Sequence, residues 1–526
     1  MSQSKPLIQL DGEHLSIEQI LQFVSDPLVK IRIPEQCLRN LERSRQVLDE
    51  ESQSQLVYGV NTGFGPMADR AIADDDLHAL QKNLVRSHAS GAGRHLPDEY
   101  VLAAMIVRLN TIIRGYSGIS RELALYLVSI INHRIVPVVP EHGAVGTSGD
   151  LVQLAHIALI LIGEGKARYQ GVLQPTDEIF RTLQITPYVL QPKEGLALIN
   201  GTAMMTGIAA ILAGKARTLF ASTLTLGGMS LDAIGGYRDP LDELLHKLRH
   251  HPGQQYVASE LRAHLTDSNT IKDRIEHARP EGTQSVSNLV GLVQNVYSFR
   301  CMPQILGPIH ETLESCTATI ERELNAVTDN PVIDAEHQRF IHGGNFHGEY
   351  IAVAMDHLKL SLAKLSLLSE RRINYFLDEK INGKYPPFLN IHTPGLTLAL
   401  QGMQFTATST AAQNQTLAFP HSVHSISTNA SNQDVVSMGT DASLFTAQVL
   451  ENTEIVLAIE LIVILQAIDT SGQLHNLSTA SKSAYALCRE SIHVVMEDRP
   501  LYEDISRAVQ LLRNKHFSFP LSQKVP

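Results

Sequence analysis

Apolar positions recur with a helical period over five long stretches, at about 202–234, 289–325, 347–374, 396–417 and 439–470. Several exceed 20 residues, a length suited to a bundle of long packed helices. Few segments alternate with period two, so strands are expected to be few and short. The first 200 residues read differently. Ser16, with Gln19 three residues on, predicts a boxed helix start. Helical periodicity returns over roughly 75–91, 97–114 and 150–164, the last with Asp150 as its expected cap. Glycine-rich loops interrupt these helices at 57–65 and 142–149, and 134–140 reads as a short extended segment. The expected fold is mainly α. A mixed N-terminal region, 1–201, carries the loops. A long-helix bundle and a C-terminal helical region fill 202–526.

Composition changes this picture little. The chain of 526 residues is 44% hydrophobic and 18% charged, which suits a folded globular protein. Its formal net charge of −11 argues against a nucleic-acid binder. Scarcity of aromatics (5%, no Trp) fits helices packed through Leu, Ile and Ala. The apolar run at 455–468 is interrupted by Glu460, so a buried helix is expected there and not a membrane span. Cys37, Cys301, Cys316 and Cys488 lie far apart, without disulfide-like or metal-ligand spacing. Together with an N-terminus that shows no apolar signal segment, this points to a cytoplasmic protein. His342 and His347 are five apart and His250 and His251 adjacent, and neither pair matches zinc-ligand spacing. No metal or nucleotide is expected.

The segment that carries chemistry is Gly143-Ala144-Val145-Gly146-Thr147-Ser148-Gly149-Asp150-Leu151. A serine between glycines is most often a turn residue. A hydrolase elbow would need Gly-x-Ser-x-Gly, and Asp150 stands where the second glycine belongs. A phosphate loop would end in Gly-Lys-Ser/Thr, which is missing. A third chemistry needs only Thr147-Ser148-Gly149. The amide nitrogen of Gly149 attacks the carbonyl carbon of Thr147, and loss of water closes a five-membered ring. Loss of the Ser148 hydroxyl as a second water leaves an exocyclic methylidene. Glycine permits the close backbone approach. Serine supplies the hydroxyl that leaves. The first residue gives only backbone.

This segment resembles the signature of the histidine, phenylalanine and tyrosine ammonia-lyase family, whose members share the 4-methylideneimidazol-5-one (MIO) prosthetic group. The usual tripeptide there is Ala-Ser-Gly, and this chain has Thr147 in the first place. The resemblance runs along nearly the whole chain. It includes Tyr58-Gly59-Val60-Asn61-Thr62-Gly63-Phe64-Gly65, Leu198-Ile199-Asn200-Gly201-Thr202, Tyr297-Ser298-Phe299-Arg300 and Asn325-Ala326-Val327-Thr328-Asp329-Asn330-Pro331. His342-Gly343-Gly344-Asn345-Phe346-His347-Gly348 and Asn432-Gln433-Asp434-Val435-Val436-Ser437-Met438-Gly439 complete it.

The resemblance implies the ammonia-lyase/fumarase-like helical fold, a homotetramer, and elimination of ammonia from an aromatic L-amino acid. It implies MIO formed from Thr147, Ser148 and Gly149. Tyr58 would be the base at the β-carbon, a role that needs activation because tyrosine ordinarily titrates near ~10. Arg300 would pair with the substrate carboxylate. Asn200, Gln294, Tyr297 and Phe346 would line substrate and ring, and Asn429, Asn432 and Gln433 would form a polar loop beside them.

The resemblance implies that Ser87-His88 holds the position that meets the far end of the substrate ring. A polar pair there, able to bond a phenol or an imidazole, favours tyrosine or histidine over phenylalanine. Histidine lyases of the family carry Glu where this chain has Gln413, and read Asn-Gln-Glu-Asp-His-Val-Ser-Met where it has Asn432 to Met438. The expectation is L-tyrosine converted to trans-p-coumarate. L-histidine converted to urocanate is the alternative. A tyrosine or phenylalanine 2,3-aminomutase would share the catalytic residues, and a non-catalytic helical scaffold is the remote reading.

Overall fold

The computed structural model describes residues 6–273, 293–514 and Phe517. Helices dominate, as the periodicity predicts. The four longest are Ala203–Ile234, Met302–Leu324, Glu349–Leu377 and Gly439–Ser471. Strands among the described residues are two to four residues long and form sheets of two or three strands. The chain divides into two compact units. One comprises 1–214, 316–356 and 420–446, the other 215–315, 357–419 and 447–526. The expected boundary at 201/202 falls inside the first unit.

In the first unit, Ser16 and Gln19 close the predicted capping box on helix Ile17–Ser25. That helix packs on Asp98–Ile112, in which every residue from Tyr100 to Ile112 is buried. A helix apolar on all sides belongs at a core centre. Helices Leu77–His88, Leu151–Leu161 and Glu194–Ile199 pack on one another. Their close approach depends on Gly195, where a Cβ would lie 2.8 Å from the Gln81 carbonyl oxygen. The extended segment predicted at 134–140 is split. Val136–Pro137 pairs with the hairpin Lys166–Tyr169/Val172–Pro175, and Pro140–His142 pairs with Ala92–His95.

In the second unit, Glu460 resolves the interruption of its apolar run. It is fully buried and paired with the equally buried Arg372, Nη2 to Oε2 at 3.0 Å. Ser369 donates to the same carboxylate. The helix predicted from 396 starts only at Gln401. The Asp498 carboxylate takes the N–H groups of Leu398 and Ala399 at 2.8 and 2.9 Å, and Ala399 sits at φ +47°. The stretch predicted at 289–325 is a short turn, Tyr297–Arg300, followed by Met302–Leu324. Its first residues, 289–292, lie outside the described residues. Among the described residues one helix, Ala203–Ile234, is long and apolar enough to cross a membrane, but 83% of its apolar window is buried within the protein.

Candidate functional site

The tripeptide sits in a loop held from two sides, all within the first unit. On one side, Gly149 bridges to Gly201, and the Asp150 N–H donates to the Gly201 carbonyl at 2.8 Å. Gly149 is left-handed at φ +71°, and a Cβ there would lie 2.0 Å from the Gly201 oxygen. On the other side, Ser437 Oγ donates to the Gly146 carbonyl at 2.9 Å, and the Met438 N–H to Val145 at 3.0 Å. The Gly348 N–H donates to the Gly146 carbonyl at 3.0 Å, which ties the turn carrying Phe346 to the same loop.

Asp150 was expected to cap its own helix. Its side chain makes no such bond. It turns instead to the start of Ala203–Ile234, accepting from the Met205 N–H at 2.9 Å and from the Thr440 hydroxyl. Burial pushes its carboxyl up to about 6, and the bonds from Thr440, Met205 and Met204 oppose that shift. Asp150 thus joins the tripeptide loop to a helix N-terminus, where backbone N–H groups suit a carboxylate. Nothing in local sequence reveals this partner 55 residues away. Ser437 and Gly201 are likewise supports that pattern reading did not single out, although both lie inside recognised motifs.

Around Ser148 the structure gathers three of the predicted residues. Thr147 Oγ1 donates to Gln433 Oε1 at 2.6 Å, and Gln433 Nε2 donates to Ser148 Oγ at 3.1 Å. Asn200, with its amide oriented to satisfy both ends, donates to the Ser148 carbonyl and accepts from the Asn330 N–H, each at 3.2 Å. Asn200 follows helix Glu194–Ile199, whose Ala197 carbonyl accepts from the buried Arg108 Nε at 2.7 Å. Burial lowers that guanidinium to about 10, so it remains a cation at neutral pH. Beneath Asn200, the fully buried Lys193 and Asp329 pair at 2.9 Å. Burial pulls the Lys193 ammonium below its ordinary value, and the Asp329 carboxylate works against that.

Tyr58 is half-buried. Its phenol oxygen accepts the Gly65 N–H at 3.0 Å, and its ring meets Phe64 edge-on at 6.4 Å. A Cβ on Gly65 would lie 2.7 Å from the Asn429 amide nitrogen, so the polar loop reaches the tyrosine loop. Asn432 is exposed and closes the tip of that loop through its N–H to the Asn429 carbonyl at 3.1 Å. Ser87 and His88 end helix Leu77–His88. His88 Nδ1 lies 3.0 Å from both the Leu84 carbonyl and Ser87 Oγ. A carbonyl only accepts, so Nδ1 carries the proton and a neutral ring keeps Nε2 as an acceptor.

Gln294, Tyr297 and Arg300 belong to the second unit. Gln294 and Tyr297 are exposed. The Arg300 guanidinium stacks over the Tyr297 ring at 4.6 Å, and its Nε has no partner among the described residues. No group of three or more His, Cys, Asp or Glu side chains placed to hold a metal occurs among the described residues.

A family model, aromatic amino acid lyase, matches residues 15–490. The chain is 39% identical to a histidine ammonia-lyase of Macrococcus caseolyticus, over 97% of this chain and 99% of that protein. A crystal structure of tyrosine aminomutase from Streptomyces globisporus superposes with a TM-score of 0.93 at 33% identity, covering 97% of both chains. Histidine ammonia-lyase from Trypanosoma cruzi gives a TM-score of 0.87 at 31% identity, over 97% of this chain and 94% of that one. The chain therefore belongs to the aromatic amino acid lyase family, whose ammonia-lyases are carbon–nitrogen lyases.

Proposed function

We propose that this chain eliminates ammonia from an aromatic L-amino acid through an MIO ring built from Thr147, Ser148 and Gly149. The observation that carries this is the setting of the tripeptide. Gly149 is pressed against Gly201 where no side chain fits, and the Ser148 hydroxyl faces an amide donor. A turn would need neither feature. When formed, the ring supplies an electrophile that captures the substrate amine, a leaving group side chains alone do not activate. The chain's own residues do the rest. Asn200 holds the Ser148 carbonyl. Tyr58, its phenol oxygen fixed by the Gly65 N–H, takes the β-proton. Arg300 takes the substrate carboxylate through charge-assisted bonds. Phe346 packs against the substrate, and Gln294 and Tyr297 line its path. We place these groups in a homotetramer, where loops of several copies form each site. Exposed Tyr350, Val423, Ile426 and Val435 offer apolar surface for such assembly. None of the four cysteines is in a disulfide, which suits a reducing cytoplasm.

For the substrate, the histidine ammonia-lyase relatives favour L-histidine, with urocanate as product, over the L-tyrosine expected from sequence. The acceptor left on His88 suits either ring, since imidazole N–H and phenol O–H both donate. L-Tyrosine remains the second reading on one observation. Asn432-Gln433-Asp434-Val435-Val436-Ser437-Met438 stands where histidine lyases read Asn-Gln-Glu-Asp-His-Val-Ser-Met. Intact mass tests the mechanism: the purified chain should weigh two waters less than its sequence, and an unmodified mass would leave a non-catalytic scaffold. Separate incubation with histidine, tyrosine and phenylalanine tests the substrate. Faster release of p-coumarate than of urocanate overturns the histidine reading, and accumulation of a β-amino acid indicates an aminomutase.

A further inference from the structure

We infer that the Thr147 hydroxyl is a positioning group for ring formation, acting through Gln433. The inference rests on the MIO reading above. In ring closure, the Gly149 nitrogen bonds to the Thr147 carbonyl carbon and its proton passes to the carbonyl oxygen. That oxygen leaves as water with the Ser148 amide proton, giving a C=N bond. The second water combines the Ser148 Cα proton with the Oγ hydroxyl. The C–H electron pair becomes the Cα=Cβ bond, and the Cβ–Oγ pair leaves with the oxygen. No oxidant or reductant is consumed. The hydroxyl departs more readily when a donor, not an acceptor, faces its oxygen.

The Gln433 amide has one end of each kind, and rotation by half a turn exchanges them. In the folded chain Thr147 holds the oxygen end, which leaves the nitrogen end facing Ser148. Its hydroxyl donates to Gln433 Oε1 at 2.6 Å, and this directs Nε2 to Ser148 Oγ at 3.1 Å. Thr147 is buried, with 4% of its surface exposed, so water does not readily take over this bond. The Gln433 backbone is held as well, paired with Thr428 in both directions at 3.0 and 3.3 Å. Between them, Asn429, Ala430 and Ser431 all adopt left-handed φ of 54°, 53° and 62°. Three consecutive non-glycine residues in that region are costly, and the surrounding structure must hold them there. The glutamine is thus presented on a fixed arm, and only its terminal amide is left for Thr147 to orient. After maturation Ser148 Oγ is gone, so this arrangement serves the making of the ring.

The test follows the full-length chain made by cell-free translation and sampled over time by intact mass. Wild type, Thr147→Val, Thr147→Ala and Thr147→Ser are compared, with circular dichroism to confirm equal folding. Alanine is the family's usual residue in this place and guards against a variant that fails to fold. Val and Ala should lose their two waters roughly ten-fold more slowly, the size expected from misorienting one donor at a developing charge. Ser should match wild type, because it restores the hydroxyl. Equal rates in all four overturn the inference and leave the proposed function standing, as does a Ser variant as slow as Val. A wild-type chain that never loses water overturns the proposed function, and the inference falls with it.

Discussion

Gly149→Ala probes the loop most directly. The left-handed backbone at φ +71° costs an alanine about 1–2 kcal/mol. The added Cβ would stand 2.0 Å from the oxygen and 2.2 Å from the carbon of the Gly201 carbonyl. Ordinary contact is ~3.5 Å, so the two backbones must part by more than about 1 Å. Neither atom is the end of a flexible side chain that can swing away. Parting them breaks the 2.8 Å bond from the Asp150 N–H to Gly201 and strands a buried donor, for a further ~1–3 kcal/mol. The sum, ~2–5 kcal/mol, falls on the loop that must close. The variant is expected to fold with a lowered thermal midpoint and to keep its full, unmodified mass. Intact mass and thermal melting on one sample read both effects. Loss of two waters to wild-type extent, with an unchanged midpoint, would refute the argument that Gly201 excludes a side chain at this position.

Four further outcomes are expected. Ser148→Ala should retain the fold and reduce turnover by more than about 1,000-fold, ~4 kcal/mol in barrier; steady-state rates check this, and near-normal activity would sink the ring mechanism. Lys193→Met leaves the Asp329 carboxylate buried and unpaired, which should cost ~3–5 kcal/mol, with part recovered in Lys193→Met/Asp329→Asn; denaturant midpoints measure both. His264 is held neutral by burial, its imidazole pushed to about 4 from an ordinary 6.5. As pH falls the unfolded chain takes that proton first, so the stability His264 contributes is present above pH 6.5 and is lost toward pH 4, by up to ~3 kcal/mol; His264→Gln should flatten the stability profile in that window. His88→Leu removes the acceptor proposed to meet the substrate ring and should raise the preference for phenylalanine over histidine and tyrosine by about ten-fold or more, read from kcat/KM ratios.

Much of the fold was legible because its signals are local. The Ser16–Gln19 box, the periodic stretches that became Ala203–Ile234 and Gly439–Ser471, and the glycine loops each depend on neighbours within a turn or two. The late start of helix Gln401–Leu417 was not legible, because Ala399 is left-handed at φ +47° with its N–H held by Asp498, about 100 residues away. The L-tyrosine expectation rested on short motifs, whereas a relative 39% identical over nearly the whole chain is a histidine ammonia-lyase.

The sequence by itself determined the tripeptide, its glycine frame and the helical character of the chain, since those need only residue type and spacing. Tertiary structure alone decided what the tripeptide touches. Gln433 meets Thr147 and Ser148 across some 285 residues, and Asp150 meets the start of a helix it does not belong to. Hydrogen-bond partners so distant leave no periodic trace in a chain. They are fixed only when packing brings the loops together and burial makes each unmet donor or acceptor costly. That is why the threonine, which gives the ring only backbone, acquires a side-chain partner only in the folded molecule.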